Sequence, residues 1–503
     1  MSENAERTSS GARSEAPRDQ VVQTRHSVVI GAVEIAYTVT AGTLVLGEET
    51  EKKGEQAGES EGVTPRAAVF FVAYTRDDAA DRAARPVTFS FNGGPGSSSV
   101  WLHLGVLGPR RAAMNDDGGL PPPPYRLVDN AYSLLDVTDL VFIDPVTTGY
   151  SRALAGQKAK DFHDFKKDIE SVGDFIRLYT TRYHRWRSPK FLIGESYGTT
   201  RAAGLSGYLQ DRHALYLNGI MLVSSILNFQ TARFAPGNDL PPLLFLPTYT
   251  ATAWFHKCLE PELQSDLRAT LAAVEAFAAG DYAAALFKGD ALPAKERAVV
   301  VTQLARFTGL SRDYIEQTNL RIEIHRFTKE LLRDQRRTVG RLDSRLLGVD
   351  RDSAGERAEF DPSLANITGP YAGTFNDYVR TELNFESDLP YEILTPRVQP
   401  WSYVEHQNQY VNVAETLRHA MSTNPWLKVF VGSGFYDLAT PYFATRYTFD
   451  HLELDERLRP NISMAYYEAG HMMYVHLPSL VQLKTDLAAF IAGALHPAPT
   501  EGR

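Results

Sequence analysis

Short apolar runs alternate with helical patterns through the first half of the chain. VTFSF at 87–91, LVFI at 140–143, KFLI at 190–193 and IMLV at 220–223 are near-continuous apolar segments of strand length, as buried parallel strands require. Between the second and third, Phe162, Phe165, Ile169, Val172, Phe175, Ile176 and Tyr179 recur every three or four residues and predict one apolar helix face. Strand, helix and strand in that order predict an α/β fold, a three-layer sandwich around a mostly parallel sheet. Upstream, residues 28–46 and 67–74 are rich in β-branched and aromatic residues. They predict two strands flanking a flexible charged loop, GEETEKKGEQAGESEGVTP.

The alternation stops after residue 223. It resumes only with KVFVG at 428–432 and ISMAYY at 462–467, followed by a helix whose apolar stripe is Leu480, Leu483, Leu487, Phe490 and Ile491. The stretch between is helical in pattern, with segments such as LQSDLRATLAAVEAFAAG and AKERAVVVTQLARF broken by Gly and Pro. The predicted organisation is therefore a polar, disordered tail over 1–25, a first core part over 26–227, a mostly helical cap insertion over 228–424, and a second core part over 425–503.

Composition narrows the partners. The 52 basic and 61 acidic residues leave a net charge of −9, which offers no basic field for a nucleic acid backbone. One cysteine, Cys258, excludes an internal disulfide and a cysteine-based zinc site. No stretch reads as a membrane span, and the amino terminus lacks the apolar core of a signal peptide, so a cytoplasmic protein without a membrane partner is expected.

Candidate chemistry sits at strand ends. KFLI runs directly into Gly194-Glu195-Ser196-Tyr197-Gly198 and then a helical pattern, which is the setting of a nucleophilic serine on a strained strand-to-helix turn. A serine hydroxyl needs a histidine to take its proton and an acid to orient that histidine. Asp437 follows the strand around 428–432 and His471 follows the strand at 462–467, which gives the hydrolase order Ser, acid, His. Glu468 is the rival acid, less favoured because it lies only three residues before His471. After VTFSF comes Asn92-Gly93-Gly94-Pro95-Gly96, a turn able to aim backbone N–H groups at an anion. It lacks the lysine and Ser/Thr of a phosphate loop. An oxyanion hole formed by the Gly94 and Tyr197 amides fits better. The pair His471 and His476 lacks zincin spacing, so neither metal nor cofactor is expected.

FNGGPGSSS at 91–99, DPVTTGYS at 144–151, GESYG at 194–198, YDLATP at 436–441 and GHM at 470–472 together resemble the serine carboxypeptidase family, in a bacterial-type form without disulfides. The resemblance implies an α/β-hydrolase fold and an enzyme that removes single residues from peptides with a free carboxyl terminus. It implies Ser196, Asp437 and His471 as catalytic triad, Gly94 and Tyr197 as oxyanion donors, and Asn92, Gly93 and Glu195 as binders of the substrate's terminal carboxylate. One position departs. Where the family has a second carboxylate-binding acid, this chain has Val106, and nearby His103 is not expected to compensate. An esterase or acyltransferase on the same scaffold is the alternative reading, and a noncatalytic hydrolase-fold binding protein a more distant one.

Overall fold

The computed structural model describes residues 17–496. Among these residues the central sheet has ten strands, nine of them in one continuous order: β1 (Gln20–Ile30), β2 (Val33–Glu51), β3 (Ser60–Arg76), β4 (Val87–Phe91), β5 (Asp139–Ile143), β6 (Lys190–Ser196), β7 (Gly219–Ser225), β8 (Lys428–Gly434) and β9 (Ile462–Tyr467). Their spatial order is β1-β2-β3-β5-β4-β6-β7-β8-β9, with the short strand Arg152–Ala153 beside β3. From β5 to β9 all neighbours are parallel, while β1, β2, β3 and β5 pair antiparallel. The chain runs outward from β4 to β5 and then crosses back to β6. The carboxyl ends of β4 and β6 therefore lie side by side at the switch point, where a doubly wound sheet opens its crevice.

The principal helices are α1 (Phe165–Arg182), α2 (Tyr197–His213), α3 (Leu240–Phe255), α4 (Leu267–Phe277), α5 (Ala294–Thr308), α6 (Pro362–Thr381), α7 (Ala414–Thr423) and α8 (Leu477–Leu495). Successive strand residues point to opposite faces. Leu192, Ile220 and Leu222 enter one core with Phe175 and Ile176 of α1, Leu205 of α2 and Leu417 of α7. Ile193, Met221 and Val223 enter the other with Tyr371 and Phe375 of α6 and Leu483 and Leu487 of α8. These are the three layers that the strand and helix patterns predict.

The stretch expected to form one helical insertion divides. Residues of α3, α4 and α5 build their own core from Leu244, Tyr249, Leu271, Val274 and Leu304, and seat it on Phe435, Tyr436 and Leu438 of the loop after β8. In contrast, α6 and α7 return to the two faces of the sheet. Helical periodicity is the same in both groups and does not say which layer a helix covers. The helical run Leu267–Ala291 is long and apolar enough, by length and mean hydropathy, to cross a bilayer, which corrects the expectation that no stretch qualifies. In this fold Leu267, Leu271, Val274, Ala278 and Tyr282 from it face the cap core.

Two further expectations are corrected at the amino-terminal edge. Residues 20–25, assigned to the disordered tail, belong to β1, paired from Gln20↔Thr43 onward; residues 1–16 lie outside the described residues. The charged segment expected to be a flexible loop instead continues the β2–β3 ladder to Glu51↔Ser60, leaving only a short turn. Ladder hydrogen bonds use the backbone alone, so a pairing begun by apolar residues continues through charged ones.

Candidate active site

Ser196 ends β6 and Tyr197 begins α2, with Ser196 held at φ 59° and ψ −129°. A side chain rarely occupies this region, and the surroundings must impose it. Flanking glycines make the turn possible. A Cβ on Gly194 would lie 2.2 Å from the Gly198 carbonyl oxygen, and one on Gly198 would lie 2.8 Å from that of Phe91. The result leaves Ser196 partly exposed at the sheet edge.

Asp437 and His471 follow β8 and β9 and meet beside this turn. His471 Nδ1 lies 2.7 Å from Asp437 Oδ2. Asp437 is fully buried, its Oδ1 accepting the amides of Ala439 at 2.8 Å and Thr440 at 3.0 Å, and its Oδ2 accepting the Thr440 hydroxyl at 2.7 Å. The backbone of His471 is held as well: its carbonyl accepts from Ser224 Oγ at 2.6 Å, and its amide donates to the Leu342 carbonyl at 2.6 Å. Burial alone would lower the His471 pKa, but the Asp437 carboxylate, its hydrogen bond and Glu195 outweigh this and hold it above the usual histidine value. Among the described residues Ser196 Oγ makes no hydrogen bond to this ring; in free enzymes such contacts often tighten only when substrate binds. Glu468, the rival acid, is exposed, and the His471 ring pairs with Asp437 instead. His476 does not join the cluster either; its Nδ1 lies 2.9 Å from Ser479 Oγ.

The loop after β4 packs onto the elbow. A Cβ on Gly93 would come within 2.4 Å of the Tyr197 amide nitrogen, so glycine alone permits this approach. Gly94 has φ 101°, open to glycine and strained for other residues. Two buried groups that the sequence reading missed hold this loop. Arg201 on α2 pairs with Asp168 on α1 at 2.8 Å, donates to the Asn92 carbonyl at 2.6 Å, and lies over the Phe91 and Tyr197 rings at 5.3 and 5.4 Å. Asp144, the first residue of DPVTTGYS, accepts both the amide and the hydroxyl of Ser99 at 2.8 Å.

Asn92 and Glu195 are joined. Asn92 Nδ2 donates to Glu195 Oε1 at 3.0 Å, while Asn92 Oδ1 accepts the Leu102 amide at 3.1 Å, which fixes the orientation of the amide. The other Glu195 oxygen, Oε2, accepts the hydroxyl of Tyr474. Burial pushes the Glu195 pKa up to about 7, against the opposing pull of His471, Tyr474 and Asn92. Glu195 is thus a buried acid able to carry a proton near neutrality. Val106 lies in the apolar core. His103 is also buried there, stacked on Phe142, with Nε2 2.6 Å from the Tyr74 hydroxyl; burial lowers its pKa to about 3, so it stays neutral and supplies no charge.

Comparisons with known proteins place the chain in a family and a fold. A family model described as serine carboxypeptidase matches residues 60–475. The pheromone-processing carboxypeptidase KEX1 of Saccharomyces cerevisiae is 34% identical over 135 residues, 25% of this chain and 17% of that protein's length. Serine carboxypeptidase-like 33 of Arabidopsis thaliana is 28% identical over 161 residues, 31% of this chain and 30% of that protein. The crystal structure of Kex1(delta)p, a prohormone-processing carboxypeptidase from Saccharomyces cerevisiae, superposes with a TM-score of 0.51 at 16% identity, covering 90% of this chain and 91% of that one. The sheet order supports the α/β-hydrolase fold, and the family match runs from the start of β3 to the turn that carries Tyr474. On those grounds the chain belongs to the serine carboxypeptidase family.

Proposed function

We propose that this protein hydrolyses the last peptide bond of peptides bearing a free carboxyl terminus, with Ser196 as nucleophile, His471 as general base and acid, and Asp437 orienting the ring. Ser196 Oγ forms a bond to the scissile carbonyl carbon as its proton passes to His471 Nε2. The Gly94 and Tyr197 amides receive the oxyanion. Collapse of the tetrahedral intermediate breaks the C–N bond, and His471 gives its proton to the leaving amine. Water then attacks the acyl-enzyme by the same route and regenerates Ser196.

The observation that carries this reading is the buried Glu195 carboxyl, hydrogen-bonded to Asn92 and directly preceding Ser196. Two carboxyl groups share a hydrogen bond only when one is protonated. A Glu195 pKa pushed up to about 7 supplies that proton in acid and neutral solution. With Gly93 beside it, this pair supports recognition of a terminal carboxylate one residue beyond the scissile bond. The single cysteine, Cys258, supports a reducing compartment such as the cytoplasm as the site of action.

Asn92→Ala tests the pocket, because it removes a donor from carboxylate recognition and leaves the serine, histidine and aspartate in place. We expect kcat/KM for a free-carboxylate peptide to fall at least tenfold more than kcat/KM for a neutral activated ester. Equal losses on the two substrates would assign the site to general ester hydrolysis instead.

A further inference from the structure

We propose that Tyr474 is a positioning residue for terminal-carboxylate recognition, its hydroxyl holding the Glu195 carboxyl opposite Asn92 so that the proton of Glu195 faces the substrate. The inference rests on the carboxylate pocket proposed above.

Tyr474 lies in the short turn Met473–Val475, three residues after His471, and is buried. Its place is built by the neighbouring segment. A Cβ on Gly105 would lie 2.3 and 2.4 Å from the Cε2 and Cδ2 atoms of the Tyr474 ring, and 2.9 Å from the Tyr371 hydroxyl. Glycine at 105 is therefore the condition for a tyrosine ring at 474 in this position. Val106, next in the chain, adds apolar surface and no polar side-chain atom, which leaves the Tyr474 hydroxyl to face Glu195.

Hydrogen-bond accounting gives the hydroxyl its role. Glu195 Oε1 accepts from Asn92 and Oε2 accepts from Tyr474. With each oxygen engaged, the carboxyl plane is set from both sides, and the hydrogen of protonated Glu195 is left to aim into the site beside Asn92. Burial holds the phenol pKa well above its ordinary value, so Tyr474 stays a neutral donor at every working pH. The groups facing Glu195 are Asn92 from the loop after β4, Asp437 from the loop after β8, His471 and Tyr474 from the segment after β9, and Tyr371 from α6. Among these, Asn92 and Tyr474 bond the carboxyl directly. A donor to a carboxylate favours the anion, so removing the phenol hydroxyl makes Glu195 hold its proton to higher pH.

The test is Tyr474→Phe, which keeps the ring on Gly105. The pH dependence of kcat/KM is measured for a free-carboxylate peptide, its amidated counterpart and a neutral ester. We expect KM for the free-carboxylate peptide to rise about tenfold at low pH. We also expect the alkaline limb of that substrate, taken relative to the ester, to move upward by about one pH unit, which corresponds to a tenfold change in an ionisation constant. Gly105→Ala, which displaces the ring, should move the limb the same way. If the wild type discriminates free from amidated peptides while both variants keep its limb and KM, the role of Tyr474 is overturned and the pocket stands. A wild type indifferent to amidation overturns both.

Discussion

Ser196→Ala is expected to lower kcat by about 10⁶-fold, with little change in thermal stability. The size of the effect follows from the position. Ser196 stands at the end of β6 with a φ of 59° in a turn that Gly194 and Gly198 permit, and α2 begins at the next residue. Alanine keeps the turn and removes the attacking oxygen. A fluorophosphonate should accordingly label Ser196 in the wild type and no residue in the variant. Label on Ser97, Ser98 or Ser99 would move the nucleophile to the glycine-rich loop.

Asp437→Asn is expected to lower kcat by about 10⁴-fold, because an amide in place of the carboxylate no longer enforces the Nδ1–H tautomer or stabilises the imidazolium. The substitution is nearly isosteric. Asn retains an oxygen able to accept the Ala439 and Thr440 amides, so the loop geometry should persist. The same change should lower the pKa of His471, since Asp437 does more than Glu195 to raise it against the effect of burial. The acid limb of ester hydrolysis, where His471 gains a proton and ceases to act as base, should then move to lower pH. Glu468→Gln should leave both turnover and profile within about twofold of wild type, because Glu468 is exposed and His471 pairs with Asp437. A large loss there, with Asp437→Asn near normal, would transfer the role of the acid.

The elements that the sequence reveals are those whose chemistry is contiguous. A strand, two glycines and a helix surround Ser196 within a few residues, and Asp437 and His471 each follow their own apolar run, so local pattern suffices to put all three at strand ends. Arg201 and Asp168 escape the same reading because each looks like a polar residue on a helix surface. They become buried only when α1 packs against α2, a tertiary event that periodicity does not encode. Tyr474 escapes for a different reason. It lies in a short turn without period, and its significance depends on Gly105 and Glu195, which are remote in sequence. The edge strand β1 shows the limit of composition as a guide: its outer residues are polar, yet a full ladder with β2 orders them. The basic residues Arg326, Lys329, Arg333, Arg336 and Arg337, interleaved with Glu330 and Asp334, read by sequence as a solvated helix face. Lys329 is instead buried and paired with Asp350.

The most direct measurement is product analysis by mass spectrometry of one peptide prepared both as the free acid and as the amide, incubated with wild type and with Ser196→Ala. The account predicts release of single carboxyl-terminal residues, one after another, from the free acid by the wild type alone, with the amide left largely intact near neutral pH. Internal cleavage of the chain, equal processing of acid and amide, or undiminished release by Ser196→Ala would contradict it.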